Sequence, residues 1–374
     1  MKFAILKENL KRGLAIIERA AGRNITLPSL SNVLISAQKN LIILTSTDLE
    51  LVVTWWGLAK TEKEGKITTP ARLFANVINF FPSEKITLSS KDNILLIEGE
   101  NSTAQLNSFP ADDFPIIPNL KTPDNLCMNL EPFIEALSQV VDMTASTQVR
   151  PEIAGVYLNF QKDAAKITTT DSFRLAERTL LFEKKQTKEV SLIIPQKAAR
   201  EIINIFKEQR GKLTVYFSPT QVMFEFYSEE IKQPQIQIIS RIIEGEYPSY
   251  EELIPEKMET QITIKKTDFI NHLKSVGIFS GKGNEIKIGV SSKKDGLEIS
   301  AANPETGEDR TFLPAKINGE KMEASFNWRF LIDGLSQFKS QEVIFSFNKE
   351  EETAIIRPTD ESSFLYIIKP MKSS

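Results

Sequence analysis

The chain has 374 residues, with 46 Lys and Arg against 49 Asp and Glu, one His, one Cys and a net charge of -3. That length exceeds one ordinary core, a single Cys rules out an internal disulfide, and one His with one Cys rules out a zinc site built from those ligands. No apolar run is long enough to cross a bilayer and no signal-peptide core opens the chain, so a cytoplasmic location is expected.

KFAILKENLKRGLAII from Lys2 predicts a short strand running into a basic amphipathic helix. Leu10, Leu14, Ile17 and Ala21 share one stripe of it, and Arg12 and Arg19 stand opposite. LIILTSTDLELVV from Leu41 alternates as a strand pair whose turn holds Thr47 and Asp48. A related strand and helix, ITTPARLFANVINFF, starts at Ile67, and NILLIEGE follows from Asn93. PNLKTPDN from Pro118 then reads as a boundary.

The pattern restarts at Cys127 with CMNLEPFIEALSQVV, where the Cys itself is expected to be a small buried hydrophobe. TTTDSFRLAER carries Thr170 and Asp171 at the corresponding turn, and SLIIPQKAAREIINIF from Ser191 supplies the second helix. On that helix Ala198, Ile202 and Phe206 form the buried stripe, while Lys197, Arg200 and Lys207 project away. After KLTVYFS and QVMFEFYS, a second boundary falls at PEKMET from Pro255. A third unit opens with QITIKKTDFINHLKSV, on which Lys274 and Lys282 lie away from Phe269, Leu273 and Val276. GLEISAAN places Asn303 where the earlier units have Thr-Asp, and EASFNWRFLIDGLSQF from Glu323 gives the last helix. Phe114-Pro115, Tyr247-Pro248 and Lys369-Pro370 close the units.

These repeats recur at roughly 130 residues, one domain's worth. They predict an α+β chain of three similar domains, 1-120, 121-255 and 256-374, each an internal duplication of a helix with antiparallel strands. Reactive groups are few. His272 lies mid-helix and reads as structural or solvated, no phosphate-cradling glycine loop is present, and Gly281-Lys282-Gly283 reads as the turn after a helix. No catalytic residue, metal or cofactor is expected. A carboxylate nuclease using Asp48, Asp171 and Asp112-Asp113 is the enzymatic alternative; recurrence of Thr-Asp in separate units reads instead as turn chemistry. Basic residues favour outward helix faces, whereas acidic runs (Asp112-Asp113, Glu229-Glu230, Glu251-Glu252, Glu350 to Glu352) fall in loops. That partition points to a basic surface facing a polyanion; a repeat-built protein-interaction scaffold without DNA is the other reading.

The ordered series MKF, TLPSLSNVLI, STDLEL, TTPAR, FPADDFPIIP, VRPEIAGVYL, TTTDSFRLA, EGEYPSYEELIP, NPETGED and KPM resembles the β subunit of bacterial DNA polymerase III, the sliding-clamp family. The resemblance implies a non-catalytic processivity factor: a head-to-tail homodimer forming a ring around duplex DNA, helices lining the hole and sheets outside. Arg12, Arg19, Arg23, Asn24, Arg72, Lys197, Arg200, Lys207 and Lys274 would then face DNA. It also implies a pocket between the second and third domains for short peptides of the replicative polymerase, clamp loader and repair proteins. That pocket maps to Arg150, Ile153, Thr170, Ser172, Phe173, Arg174, Leu175, Pro248, Leu253, Thr353, Ile367, Pro370 and Met371. Ser172-Phe173 stands where the family has Gly-His, Lys369 where it has Met, and Lys372-Ser373-Ser374 where it has Arg-Leu. The family's dimer contact maps to Leu106 on an edge strand and to Ile278 and Phe279. Ile278 falls about opposite Phe269 on the helical wheel and would be stranded in water on a monomer, unless the helix ends before it.

Overall fold

The computed structural model describes residues 1–22, 27–120, 125–147, 149–186, 188–228, 233–255, 257–291, 295–348 and 353–372. Among them are six α-helices: α1 (Lys7–Ile17), α2 (Ala71–Phe80), α3 (Leu130–Val140), α4 (Gln196–Phe206), α5 (Lys266–Gly277) and α6 (Trp328–Gln337). Every strand pairing is antiparallel, which with the helices makes the chain α+β. No helix among the described residues is long and apolar enough to cross a membrane.

The chain folds as two compact units. One comprises Met1–Ile134 with Lys197–Ile243, the other Glu135–Gln196 with Glu244–Ser374. In the first, a five-stranded sheet runs from Lys60–Lys63 through Lys2–Leu6, Lys85–Lys91 and Ile94–Glu98 to Thr103–Asn107. Its eight-stranded sheet joins four strands of the second repeat to four of the first through the pairing of Ile236–Arg241 with Leu51–Leu58. In the other unit a nine-stranded sheet joins second and third repeats the same way, Arg174–Leu181 pairing with Phe364–Ile368. A four-stranded sheet there has Gly307–Pro314 at one edge.

Each helix packs an apolar stripe on a sheet. Leu10, Leu14 and Ile17 of α1 are buried, as are Ala198, Ile202 and Phe206 of α4 and Phe269, Leu273 and Val276 of α5. The first helix is shorter than its pattern, however: it ends at Ile17, and Ala21 lies beyond a short 3-10 turn. Cys127 reverses its expected placement and is exposed. Strand alternation sends Leu126 and Met128 inward and Cys127 to the solvent side. His272 is half-buried, with Nδ1 2.8 Å from the Thr311 hydroxyl, a structural hydrogen bond.

Three helix glycines let a bulky ring lie against the backbone, one of them Gly277 of α5 beneath Trp328. Trp55 sits against Gly13 of α1, and Tyr366, fully buried, sits against Gly334 of α6, where a Cβ would stand 2.5 Å from its ring. The Tyr366 hydroxyl donates to the Phe330 carbonyl at 2.7 Å, so the ring cannot retreat without losing that bond. Gly334→Ala is therefore expected to destabilise the chain by about 1–3 kcal/mol, despite the better helix propensity of Ala. A urea midpoint equal to the parent's, at unchanged slope, would refute this.

Candidate nucleic-acid and peptide interfaces

Three turns of equivalent chemistry precede the strands that matter most. Asp48 Oδ1 accepts from the amides of Glu50 (3.1 Å) and Leu51 (2.8 Å), and Asp171 Oδ1 from those of Phe173 (3.0 Å) and Arg174 (2.9 Å). Asn303 Oδ1 accepts from Glu305 at 2.9 Å. Leu49 and Ser172 take the left-handed conformation at the same turn position, φ 76° and 77°. The carboxylates that could have suggested a nuclease are thus engaged in turn formation. Asp112 and Asp113 lie in a separate 3-10 turn.

In the first unit Arg19, Arg72 and Lys197 line one cleft together with Glu18, Asp48 and Glu201. Lys197 forms an ion pair with Asp48, whose hydrogen bond is the main cause of its raised pKa, and Arg19 lies 3.5 Å from Glu201. Arg12 borders a different cavity, walled by Trp55, Trp56 and Gln209. Arg200 and Lys207 are exposed on the outer face of α4 and just past its end. Lys274 is exposed on α5 in the other unit. Arg23 and Asn24 lie outside the described residues, as do Glu229-Glu230, Glu350 to Glu352 and Ser373-Ser374.

The second unit contains an apolar cluster at its sheet crossing. Leu175 pairs in register with Ile367, which pairs with Ile355, and Tyr250 and Leu365 complete the cluster. Tyr247 stacks on Tyr157 with ring centroids 4.6 Å apart. The Tyr250 hydroxyl bonds Glu177 and is 3.1 Å from the Thr168 hydroxyl. Burial pushes its pKa up, and Glu177 adds to the effect. Arg174 is held at 2.9 Å by Asp171, bonds Asp333 and lies 4.3 Å from the Phe330 ring centroid, which fixes the strand beginning at the cluster.

Of the residues mapped to the pocket, Leu175 and Ile367 belong to this buried cluster, and Leu253 is 44% exposed with its amide bonded to the carbonyl of the buried Tyr250 at 2.9 Å. Ile153 and Thr170 are buried, while Pro248, Thr353, Pro370 and Met371 are half-buried. Phe173 and Ser172 are exposed on the turn, with the Phe173 carbonyl accepting from the Lys369 amide at 2.9 Å. Arg150 is exposed and paired with Glu152 at 3.0 Å. The Met371 amide bonds the Ser325 carbonyl at 2.8 Å, which ties the tail to the four-stranded sheet. Tyr250 and Ile355 were not singled out from sequence, although the Tyr247-Pro248-Ser249-Tyr250 stretch and the short apolar run Ala354-Ile355-Ile356 contain them.

The eight-stranded sheet repeats this cluster. Val52 pairs with Ile239 as Leu175 does with Ile367, and Met223 pairs with Ile239 as Ile355 does with Ile367. There the chain's own Leu120 and Ile117 pack over it. In the second unit the chain's own Ile254 and Met258 pack against the equivalent cluster, and Leu253, next to Ile254 in the chain, is 44% exposed.

The mapped dimer residues are dissimilar. Ile278 is 72% exposed and Phe279 half-buried, immediately after α5 ends at Gly277. Leu106 lies on an edge strand as expected, but its side chain is only 5% exposed. It faces inward opposite Leu95, so the edge offers backbone groups, not that side chain, to solvent. Sequence reasoning passed over Phe80, 87% exposed at the end of α2, and Leu73, exposed on the same helix. Their spacing, i to i+7 on one helix face, was the available signal.

Family models for the DNA polymerase III beta subunit match residues 1–118 (N-terminal domain), 128–249 (central domain) and 251–372 (C-terminal domain). Beta sliding clamps of Staphylococcus epidermidis and Staphylococcus aureus are each 26% identical over 383 residues, covering 100% of both chains. The solved sliding clamp of Bacillus subtilis is 22% identical with a TM-score of 0.93, and that of Pseudomonas aeruginosa bound to griselimycin is 24% identical with a TM-score of 0.92; each comparison covers 100% of both chains. With three models of one protein matching in order along nearly its whole length, the chain belongs to the DNA polymerase III beta-subunit family, the DNA sliding clamps, which are non-catalytic processivity factors.

Proposed function

We propose that two copies of this chain join head to tail into a ring that encircles duplex DNA and tethers a replicative polymerase. The observation that carries this reading is the repeated sheet crossing. Twice within the chain the strand after the Asx turn pairs with the last strand of the following repeat: Leu51 opposite Ser240, and Arg174 opposite Ile368. The third such strand, Gly307–Pro314, ends its sheet, and so does Thr103–Asn107, the counterpart in the first repeat. Continuing the pattern pairs them between copies, with Gly307 opposite Leu106, Glu308 opposite Gln105 and Asp309 opposite Ala104. Two such junctions, one at each end, close the object without leaving those edges open.

The helices support the same assembly. Residues on or just after α1 reach α4 (Arg19 to Glu201), and α3 reaches α6 (Gln139 Nε2 donating to the Gln337 carbonyl at 3.1 Å). By that rule α5 of one copy meets α2 of the other, which brings Ile278 and Phe279 to Leu73 and Phe80.

Arg12, Arg19, Arg23, Asn24, Arg72, Lys197, Arg200, Lys207 and Lys274 are proposed to face DNA. Phosphate contacts without base readout hold a duplex non-specifically, as sliding requires. The partner pocket is proposed at Leu175, Ile367 and Tyr250, for short peptides of the polymerase, clamp loader and repair proteins. A topological clamp predicts that protein loaded on a closed circular duplex resists a salt wash and is released once the circle is cut. Equal retention on circular and linear DNA would exclude encirclement.

A further inference from the structure

The Arg19–Arg72–Lys197 cleft is self-neutralised. Its three cations face three carboxylates, Glu18, Asp48 and Glu201, that line the same cleft. The partners are unequally exposed. Side chains of Asp48 and Glu201 are 13% and 22% accessible, whereas those of Lys197 and Arg19 are 61% and 38%. The carboxylates therefore lie behind and the cations in front. Asp48 cannot readily swing away, because its other oxygen accepts from two backbone amides. Glu201 is carried on the regular helix α4.

We infer that Asp48 and Glu201 are resident counter-charges which DNA phosphates displace from Lys197 and Arg19, and which recapture those cations when the phosphate moves on. The inference rests on the proposed DNA-facing role of this cleft. A bare cation would gain the whole of each phosphate contact and lose all of it at the next step. A cation that exchanges one oxyanion for another gains only the difference, so the contact is weaker and the step between phosphates less costly. The occupant is a phosphate diester backbone, because a base edge or an acidic peptide would have no reason to alternate along a strand.

Glu201→Gln tests this with the full-length chain and a short labelled duplex at low ionic strength. Removing the counter-charge while keeping the side chain's size is expected to tighten binding about three- to fivefold, on the scale of an exposed ion pair. The plot of log affinity against log salt should also steepen, by up to about 0.9 for one further cation committed to phosphate. Glu208→Gln, at an exposed carboxylate just past α4 that does not line the cleft, changes net charge equally and should have a smaller effect. The inference is overturned if Glu201→Gln binds as the parent does, the result for a purely structural ion pair, or if Glu208→Gln matches it. Arg72→Glu separates the two levels. If it fails to weaken binding, the DNA-facing reading of the cleft is lost as well.

Discussion

Replacing Ile278 and Phe80 together by Ala should convert the chain to a monomer at low micromolar concentration. Both side chains are among the most exposed large apolar groups of the chain, 72% and 87% accessible, and the repeated helix contacts assign them to one junction between copies. Burying each such side chain contributes about 1.5–3 kcal/mol. A closed dimer has two junctions, so the double substitution removes four anchors, or at least about 6 kcal/mol, which lowers the association constant more than about ten-thousandfold. Folding should be nearly unaffected, because neither side chain belongs to the core of its own copy. Leu106→Ala should behave in the opposite way: that side chain is buried in its own sheet, so truncation costs about 2–5 kcal/mol of folding stability before it touches assembly. Light scattering with a thermal melt decides between them, and a double mutant that remains dimeric at low micromolar concentration would overturn the proposed junction.

Leu175→Asp should abolish binding of a peptide that carries a Gln and a Leu-Phe end, the ligand type implied by the family resemblance. Leu175 belongs to the buried apolar cluster with Ile367, Ile355 and Tyr250, where the pocket is proposed. A carboxylate there would be ionised in an apolar site or neutralised at a cost, and either state disfavours an apolar anchor by several kcal/mol. The expected loss is more than about a hundredfold, with the dimer retained because Leu175 takes no part in the proposed junction. Because Leu175 is also a core residue, Leu175→Ala provides the check: it keeps the wall apolar and should weaken the peptide by about tenfold while the protein stays folded. Unchanged affinity in a folded Leu175→Asp protein would show that the pocket lies elsewhere. Lys369 is exposed where its amide bonds Phe173, and at the proposed pocket its charge should either weaken binding of that peptide or favour ligands with an acidic residue near the anchor.

Much of the architecture was legible because periodicity records which side of an element is buried. The stripes of α1, α4 and α5 were readable for that reason, and the Thr-Asp turns were readable because Asp bonds amides only two and three residues away. Cys127 was misread for an equally local reason, and the burial of Leu106 on its edge strand was not legible either. On a strand, a shift of one position exchanges inside and outside, and hydrophobicity alone does not say which way an edge strand faces. Phe80 was passed over because an apolar residue at a helix end looks like core until neighbouring elements are placed.

Sequence by itself determined the threefold repetition, the α+β class, the helix faces and the turn chemistry, all set by interactions between residues close along the chain. Only the tertiary structure decided which strands cross between repeats, and therefore that Leu175 meets Ile367 and Val52 meets Ile239. It also decided that Leu120 and Ile117 pack over one of those two clusters and Ile254 and Met258 against the other. Lys197 and Arg19 read as free cations along the helices, yet their counter-charges come from Asp48 and Glu201, each far away in the chain. Pairing across such separations depends on folded geometry, because the groups that satisfy a charge or cover an apolar side chain need not be its neighbours in sequence.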